Sequence, residues 1–330
     1  WINMYCLVVS VNKFINFSGL PILLFGKGCV MNGSVQNRMS GIIFAVSAGI
    51  LWGFVPVYIH FLGDVDPFEV VAHRSLWSLV LLVGLVLWRR QMKLARQIFC
   101  DKKLLAGLAI STLFLLANWT VFVYAVQSGH VVSAALGYFI YPICSVLLGI
   151  VVLGERLDRW TWLALGCVAC GVLAKSVLIA GVPWVALLVA GSFALYAVTR
   201  KRLNIDPILG LFVETLLLLP AIIGFFGWLA WSGQSLFFGG GALFVVLALF
   251  VGVLTVVPLI LFHAGNRLLN MTMSSLLFYS NPSTQLLFAI WLLGEAFSVQ
   301  DLLAFGPIWS GIALYFVTRP RPVRPVLPTG

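Results

Sequence analysis

The sequence predicts an all-α membrane protein with ten transmembrane helices, arranged as two inverted repeats of five helices. The first observation is composition, since 62% of the 330 residues are hydrophobic and only 9% are charged. Many apolar runs have about 20 residues, the length that crosses the hydrocarbon core of a bilayer. The second observation is an internal repeat between residues 39–180 and 181–319, and the third is the distribution of Lys and Arg among the loops.

The two repeats align without a gap when the sequence is shifted by 140 positions. Many matched positions are Gly, Pro, Trp or acidic residues, and they include Gly41 with Gly181, Asp66-Pro67 with Asp206-Pro207, Gly84 with Gly224, Trp88 with Trp228, Pro142 with Pro282, and Leu153-Gly154-Glu155 with Leu293-Gly294-Glu295. Gly and Pro restrict which backbone geometries a segment adopts. Their recurrence at one spacing therefore predicts that both halves share one helix arrangement.

The loop charges of the two repeats are reversed. Residues 89–103 carry six Lys and Arg, whereas the equivalent residues 229–243 carry none. Conversely, the basic residues 200–202 align with residues 60–62, which contain no Lys or Arg. Positive charge marks the cytoplasmic side of a membrane, and an odd number of spans per repeat turns the second copy over. Inverted repeats of this kind are the architecture of many secondary transporters.

The predicted spans are residues 41–61, 68–88, 104–126, 131–153, 160–179, 183–199, 207–231, 241–262, 272–293 and 300–318. The loops between them are short, and their charges predict that both termini are cytoplasmic. Residues 1–38 lie outside the repeat and begin with Trp1, so we expect a mis-called start, with the true start near Met31, or a disordered extension. An eleventh helix is the alternative for this segment. Residues 320–330 are rich in Pro and Arg and predict a disordered cytoplasmic tail.

Ionisable side chains inside a span are costly, and for that reason they are functional candidates. His73, Arg74 and Glu214 are such residues, and Arg74 and Glu214 occupy equivalent positions in the two repeats. The functional hypothesis is that these two charges bind a charged group of the substrate or couple a proton. A structural ion pair, or separate snorkelling toward opposite surfaces, is the alternative. His73 is a candidate proton relay, or else a partner for a neighbouring backbone group.

Prolines inside predicted spans indicate a second group of candidates. Pro142 and Pro282 are equivalent in the two repeats, and Pro258 lies in the eighth span. Each proline frees a backbone carbonyl, which at membrane depth requires protein or a water-lined cavity as its partner. The nearby polar and aromatic candidates for the cavity walls are Asn118, Trp119, Tyr138, Tyr141, Tyr279 and Asn281. Hydrogen bonding and packing between helices is the alternative for each of them.

Glu155 and Glu295 follow the fourth and ninth predicted spans in the same Leu-Gly-Glu context. In the inverted arrangement they lie at opposite faces of the membrane. Each is predicted to cap the next helix, because a carboxylate stabilises the positive end of a helix dipole. An ion pair that acts as a gate is the alternative.

Several classes of function have no support in the sequence. It contains no H-E-x-x-H motif, acidic metal cluster or recognisable Ser/Lys dyad, so we predict no enzyme activity, no cofactor and no metal. A nucleotide-binding G-x-x-x-x-G-K-[ST] loop is also missing. The net charge of +10 follows from the cytoplasmic loops and does not indicate a nucleic-acid partner. The expected partners are a small-molecule substrate, the lipid bilayer and a second copy in a homodimer, and a channel or lipid-scrambling protein is the alternative function.

Several motifs resemble those of a known family. The stretches that carry the resemblance to RarD proteins are His73-Arg74-Ser75-Leu76-Trp77-Ser78, Asn118-Trp119, Leu136–Pro142, Leu153–Arg156 and Thr255–Leu259. That family is the chloramphenicol-sensitive branch of the drug/metabolite transporter superfamily and has two EamA domains. The run Tyr279-Ser280-Asn281-Pro282 departs from its Y-I-G-P-like pattern. Over residues 38–319 the resemblance implies a permease of the bacterial inner membrane that moves a small organic solute or drug-like metabolite.

Overall fold

The computed structural model describes residues 33–55, 58, 67–128, 130–178, 183–233, 241–292 and 298–318. Every regular element among these residues is a helix, as the all-α class predicts. In chain order the helices are α1 (Gly33–Gly53), α2 (Pro67–Trp88), α3 (Met92–Cys100), α4 (Lys102–Gln127), α5 (Val131–Leu153), α6 (Arg159–Leu178), α7 (Pro183–Leu203), α8 (Pro207–Ser232), α9 (Gly241–Leu268), α10 (Met271–Leu277), α11 (Ser280–Leu292) and α12 (Val299–Thr318). Residues 1–32 and the predicted tail 320–330 lie outside the described residues.

Seven of the described helices are long and apolar enough to cross a membrane. They are α2, α4, α5, α6, α8, α9 and α12, with apolar stretches of 19 to 26 residues. At a rise of about 1.5 Å per residue, stretches of this length match a hydrocarbon core of about 30 Å. The chain is therefore a multi-pass membrane protein. Helices α1, α7 and the pair α10 and α11 overlap the other three predicted spans, and the total of ten spans stays a prediction.

Helix α3 was not predicted, because it lies in the basic stretch 89–103 that was assigned to a loop. Ala95 and Ile98 are its buried residues, whereas Lys93 and Arg96 are exposed. Residues three apart lie on the same side of a helix. This short helix therefore rests on the bundle through a narrow apolar side and presents its basic residues outward.

The predicted ninth span, residues 272–293, is interrupted and forms two helices, α10 and α11. The N–H of Phe278 lies 3.2 Å from the carbonyl oxygens of both Ser274 and Ser275, a tightened last turn that ends α10. Pro282 then lies in the first turn of α11, where its missing N–H does not remove a helical hydrogen bond. A continuous helix through this point would lose that bond and crowd the preceding turn.

Helices α6 and α12 pack closely through glycines at equivalent positions of the two repeats. Gly171 of α6 lies against Ala304 of α12, and Gly311 of α12 lies against Ala164 of α6. A Cβ atom on either glycine would lie 2.4 or 2.5 Å from the opposing carbonyl oxygen. Small residues allow such close approach of two helices in a membrane. The two contacts are equivalent in the two repeats, because Gly171 and Ala164 align with Gly311 and Ala304 when the sequence is shifted by 140 positions.

Aromatic rings fill the centre of the bundle, between the two halves of the chain. The rings come from five segments and belong to Trp52, Tyr141, Phe193, Phe262 and Phe278. Neighbouring centroids in this cluster lie as close as 4.7 Å, within the range of favourable edge and offset contacts. Helix α7 packs against α4, α5 and α9.

Candidate functional site

A small cavity lies between α2, α4, α8 and α9, with two helices from each half of the chain. It is lined by Ser75, Ser78, Leu82, Leu115, Trp119, Leu211, Glu214, Thr215, Leu218, Thr255, Val256 and Leu259. Most of the lining is apolar, with four hydroxyl groups and one carboxylate. The cavity volume is about 20 Å³, which admits a water molecule but no organic solute. Of the described candidate residues, Trp119 and Glu214 line this cavity.

Glu214 of α8 is the centre of a buried polar network, and its residue is 1% exposed. Its carboxylate accepts a hydrogen bond from the Ser111 hydroxyl of α4. It accepts a second from the Tyr196 hydroxyl of α7, at 3.2 Å. The Nε atom of Arg200, also on α7, lies 3.4 Å from Oε1 of Glu214. The negative charge at the cavity wall is thus compensated by a cation and held by two neighbouring helices.

The position of Arg200 corrects a sequence prediction. The basic run 200–202 was assigned to a cytoplasmic loop, but Arg200 lies in α7 and is 3% exposed. Its guanidinium group packs directly on Gly210 of α8. A Cβ atom added to Gly210 would lie 1.7 Å from Nη1 of Arg200. Helices α7 and α8 are joined by residues 204–206, so the Arg200 side chain reaches Glu214 across a tight hairpin. A buried carboxylate without a cation is unstable, which explains why this arginine points inward.

A chain of hydrogen bonds extends from Glu214 to His263 of α9. Because Tyr196 donates its hydroxyl proton to Glu214, it accepts a hydrogen bond from Nε2 of His263, at 2.8 Å. His263 is buried and lies five residues before the end of α9. The sequence analysis did not single out Tyr196 or His263. The signal for His263 was weak, since it follows the predicted span 241–262 by one residue.

Among the described ion pairs none joins Arg74 to Glu214, so this conformation does not show the alternative of a structural ion pair between them. The guanidinium carbon of Arg74 lies 4.6 Å from the ring centroid of Trp119 on α4, a cation–π contact. Arg74 and Glu214 are each the eighth residue of their helix, about 10 Å along the helix axis. Both positions lie within the apolar stretches of α2 and α8.

His73 lies beside a buried carboxylate that the sequence analysis did not single out. Its Nε2 atom is 3.9 Å from Oε1 of Glu69, one turn earlier on α2, and both side chains are buried. The imidazole ring also contacts Phe226 of α8 edge-on, with centroids 5.0 Å apart. Glu69 was overlooked because it lies in the first turn of a predicted helix, where carboxylates are common.

Three other candidates form hydrogen bonds that support helix packing. The Asn118 amide donates to a backbone carbonyl of α7 at 2.9 Å. The Tyr279 hydroxyl donates to the Phe139 carbonyl of α5 at 2.8 Å, and these two positions are 140 residues apart. Asn281 accepts a hydrogen bond from Gln285, one turn later on α11, at 2.9 Å. In this conformation the three side chains therefore act as contacts within and between helices.

The remaining aromatic and proline candidates lie around the aromatic cluster rather than along the small cavity. Tyr138 and Tyr141 both contact the same phenylalanine ring of α7. Pro142 and Pro258 are buried inside the continuous helices α5 and α9. Pro282 is buried next to the break between α10 and α11. Two of the three prolines thus lie within unbroken helices, and one accompanies an interruption.

Glu155 caps a helix, although not the next helix along the chain. Its carboxylate accepts hydrogen bonds from the backbone N–H groups of Met271 and Thr272 and from the Thr272 hydroxyl, the last at 2.7 Å. These groups belong to the start of α10, so Glu155 ties the first half of the chain to the second. Lys201 of α7 donates to two backbone carbonyls nearby, at the end of α9 and just beyond it. The predicted counterpart Glu295 lies outside the described residues.

The chemistry of this site suits protons and small organic groups. In the part of the chain that the structure describes, no three His, Cys, Asp or Glu residues are grouped so that they could hold a metal ion. The Glu214 carboxylate can bind or release a proton. Hydrogen bonds through Tyr196 connect it to His263, in the C-terminal part of α9. Arg74 can attract an anionic group beside the Trp119 ring.

Comparison with known proteins shows which families and relatives this chain resembles. The model of the EamA-like transporter family matches residues 39–176, which is the first predicted repeat. An "Uncharacterized transporter" of Vibrio cholerae is 35% identical over 288 residues, covering 87% of this chain and 95% of the relative. "Protein RarD" of Salmonella typhimurium is 35% identical over 282 residues, covering 85% and 95%. "Chloramphenicol-sensitive protein RarD" of Pseudomonas aeruginosa is 32% identical over 278 residues, covering 83% and 92%.

A solved crystal structure has the same fold, with a TM-score of 0.65 at 17% identity over 84% of this chain and 98% of the other. A bundle of membrane-crossing helices around an internal cavity, together with these relatives, defines the class of the protein as a membrane transporter. Within that class, the chain belongs to the RarD family of EamA-like transporters. The motif resemblance seen in the sequence is thereby confirmed.

Proposed function

We propose that this chain is a secondary transporter, which moves a small organic solute or drug-like metabolite across the bacterial inner membrane by alternating access. The observation that carries the proposal is the cavity between α2 and α4 of one repeat and α8 and α9 of the other. In carriers built from repeats, the substrate site lies at the boundary around which the halves move. Because the cavity holds about 20 Å³ in this conformation, the helices must separate to admit a solute.

The proposal includes ten spans in two inverted repeats, with both termini cytoplasmic. The reciprocal glycine contacts of α6 and α12 support it, because a pseudo-twofold axis relates such pairs. Reporter fusions or cysteine accessibility test the orientation directly. We expect residues 89–103 to be cytoplasmic and residues 232–240 to be on the opposite side. A periplasmic location for residues 89–103 would overturn the inverted arrangement.

We further propose that Glu214 carries the coupled proton. The groups that face it are Arg200 and Tyr196 from α7 and Ser111 from α4, and His263 of α9 joins through Tyr196. A proton that binds Nδ1 of His263 lets Nε2 pass its proton to Tyr196, while Tyr196 passes its own proton to Glu214. The transfer leaves a neutral His263 and a neutral Glu214.

Protonation of Glu214 would remove the charge that compensates Arg200, and so weaken the contact between α7 and α8. This change supplies a link between proton binding and helix movement. The titratable residues of α2 are Glu69, His73 and Arg74, and of these His73 contacts α8 at Phe226, about three turns from Glu214. We expect Glu214→Gln to flatten the dependence of solute exchange on pH, whereas an unchanged pH profile would exclude Glu214 as the proton site.

Other candidate residues are assigned to opening and closing of the cavity. The Glu155 contact with the start of α10 joins the two halves on the predicted cytoplasmic side, and we propose that it closes that side until the helices move. The proposed walls of the widened cavity are His73, Arg74, Asn118, Trp119, Tyr138, Tyr141, Pro142, Pro258, Tyr279, Asn281 and Pro282. Glu295 is proposed as the matching gate or cap in the second repeat.

Transport is tested with purified protein in two steps. A thermal-stabilisation screen against amino acids, nucleosides and drugs identifies a ligand, because a compound that binds the folded state raises the melting temperature. The strongest ligand, radiolabelled, is then used in counterflow with proteoliposomes. We expect saturable counterflow that requires solute on both sides of the membrane. Flux that rises linearly with concentration, or movement of labelled lipid alone, would favour the channel or lipid-scrambling alternative. The transporter family also agrees with the prediction that the chain is not an enzyme.

A further inference from the structure

Arg74 differs from Arg200 and Lys175, because none of the described residues supplies it with a carboxylate. Arg200 lies 3.4 Å from Glu214, and Lys175 lies 3.3 Å from Asp301. For Arg74 the structure shows the Trp119 ring at 4.6 Å, and its Nε–H is buried without a hydrogen-bond acceptor among the residues that the structure describes. A cation at membrane depth is costly unless something compensates it.

The position of Arg74 makes a ligand accessible to it. The residue is only partly buried, and it precedes Ser75, which lines the cavity. The Arg74 guanidinium group packs on the ring of Trp119, and Trp119 also lines the cavity. A group bound to Arg74 would therefore lie at the edge of the space between the two repeats.

The surroundings limit which ligand fits. A guanidinium group binds a carboxylate through two parallel hydrogen bonds, and Nε is one of the donors that take part. Beyond Arg74 the cavity wall is mainly Leu, Val and Trp, with a few hydroxyl groups. The one carboxylate in the wall is Glu214, which would repel a second negative charge on the ligand.

We propose that Arg74 binds the carboxylate of a small organic monoanion, whose apolar or aromatic body occupies the cavity once the helices have separated. This inference rests on the proposed transport function and adds the chemical class of the substrate. Arg74 is then the residue that orients the solute, and Trp119 holds the guanidinium group in place between transport cycles.

The test compares matched acids and amides on the purified full chain. The probes are benzoate with benzamide, phenylacetate with phenylacetamide, and indole-3-acetate with indole-3-acetamide, at equal ionic strength. We expect at least one carboxylate to raise the melting temperature while its amide of the same shape does not. Equal shifts within all three pairs, including no shift at all, would overturn the proposal.

Variants assign the effect to Arg74. Arg74→Gln should abolish the preference for the carboxylate. Arg74→Lys keeps the charge but loses the two-pronged geometry, so we expect about tenfold weaker binding with the preference retained. Lys175→Gln is the matched control, because it removes a cation at the contact of α6 and α12, and it should bind like the unmodified protein. If Arg74→Gln does not fold, Arg74→Lys serves as the test of the assignment. Carboxylate affinity in Arg74→Lys equal to that of the unmodified protein would contradict it.

The same probes separate this inference from the transport function. Saturable counterflow of the amides without preference for the acids would leave a transporter but overturn the monoanion class. Carboxylate-selective stabilisation without counterflow would support the Arg74 site and contradict the transporter. Acid-selective counterflow that is lost in Arg74→Gln supports both.

Discussion

Arg74 and Glu214 occupy the same position in equivalent helices of the two halves, yet they differ in whether a neighbouring side chain compensates their charge. Glu214 has a cation and two hydroxyl donors around it and is almost fully buried. Arg74 rests on the face of Trp119, is partly exposed, and forms no ion pair with a carboxylate of the described residues. One half of the chain compensates its charge internally, and the other half does not.

This difference shows that a repeat can keep its shape while its chemistry changes. The glycines that join α6 and α12 are reciprocal, so both halves contribute equivalent residues to this close contact. Charge is not repeated, because the counterpart of Arg200 at position 60 is neither Lys nor Arg but His60. A carrier coupled to an ion needs one site that holds a solute and one that responds to the ion, and unlike halves can divide these tasks. The predictions below test whether the two regions differ in this way.

The largest expected effect is the loss of the cation in the Glu214 region. Arg200→Ala leaves a buried carboxylate unpaired, which costs about 3–5 kcal/mol of stability. We expect a strongly lowered melting temperature in detergent. Arg202→Ala is the matched control, since Arg202 is exposed near the same end of α7, and it should change stability by about 0.5 kcal/mol or less. Equal effects of the two substitutions would mean that Arg200 does not compensate Glu214.

A smaller effect is expected from Gly210→Ala on α8. The added Cβ would overlap the Arg200 guanidinium group and displace it, which costs about 1–3 kcal/mol. Gly224→Ala on the same helix meets nothing within 4 Å, so it should be neutral or stabilise the helix. The measurement is the difference in melting temperature between the two variants. A Gly210→Ala protein as stable as the Gly224→Ala protein would contradict the position of Arg200.

An effect on stability no larger than that of Gly210→Ala is expected from Tyr196→Phe, which removes the hydroxyl between Glu214 and His263. Two buried hydrogen bonds are lost, and each contributes about 0.5–1.5 kcal/mol. Tyr124→Phe is the control, because Tyr124 is exposed. In proteoliposomes, Tyr196→Phe should also slow pH-dependent exchange of solute. Normal stability and a normal pH response would show that the hydroxyl is not part of the network.

The sequence predicted much of the fold, because apolar runs and loop charges are local properties. Seven of the predicted spans match the seven apolar helices that the structure describes, and short motifs identified the family. The break between α10 and α11 was missed, since Pro282 is tolerated either as a kink or in the first turn of a new helix. Helix α3 was missed because its apolar side is formed mainly by Ala95 and Ile98.

The candidate site was less predictable, because it depends on which helices become neighbours. The sequence selected Glu214 and Arg74 correctly as charged residues within helices, but it did not identify Arg200 as the partner of Glu214. A run of basic residues at a helix end usually faces the cytoplasm. One usable signal was the tight connection 204–206, because a hairpin that short brings residues on either side of it together. His263 and Glu69 gave weaker signals, since each lies near a helix end.

The central claim is that Glu214 is coupled to Arg200 and independent of Arg74. Double-mutant cycles with Glu214→Gln, Arg200→Gln and Arg74→Gln test it, with the free energy of unfolding measured for each single and double variant. We expect a coupling energy of about 1–3 kcal/mol between Glu214 and Arg200, and additivity within about 0.5 kcal/mol between Glu214 and Arg74. Strong coupling between Glu214 and Arg74, or additive effects of Glu214 and Arg200, would contradict the account.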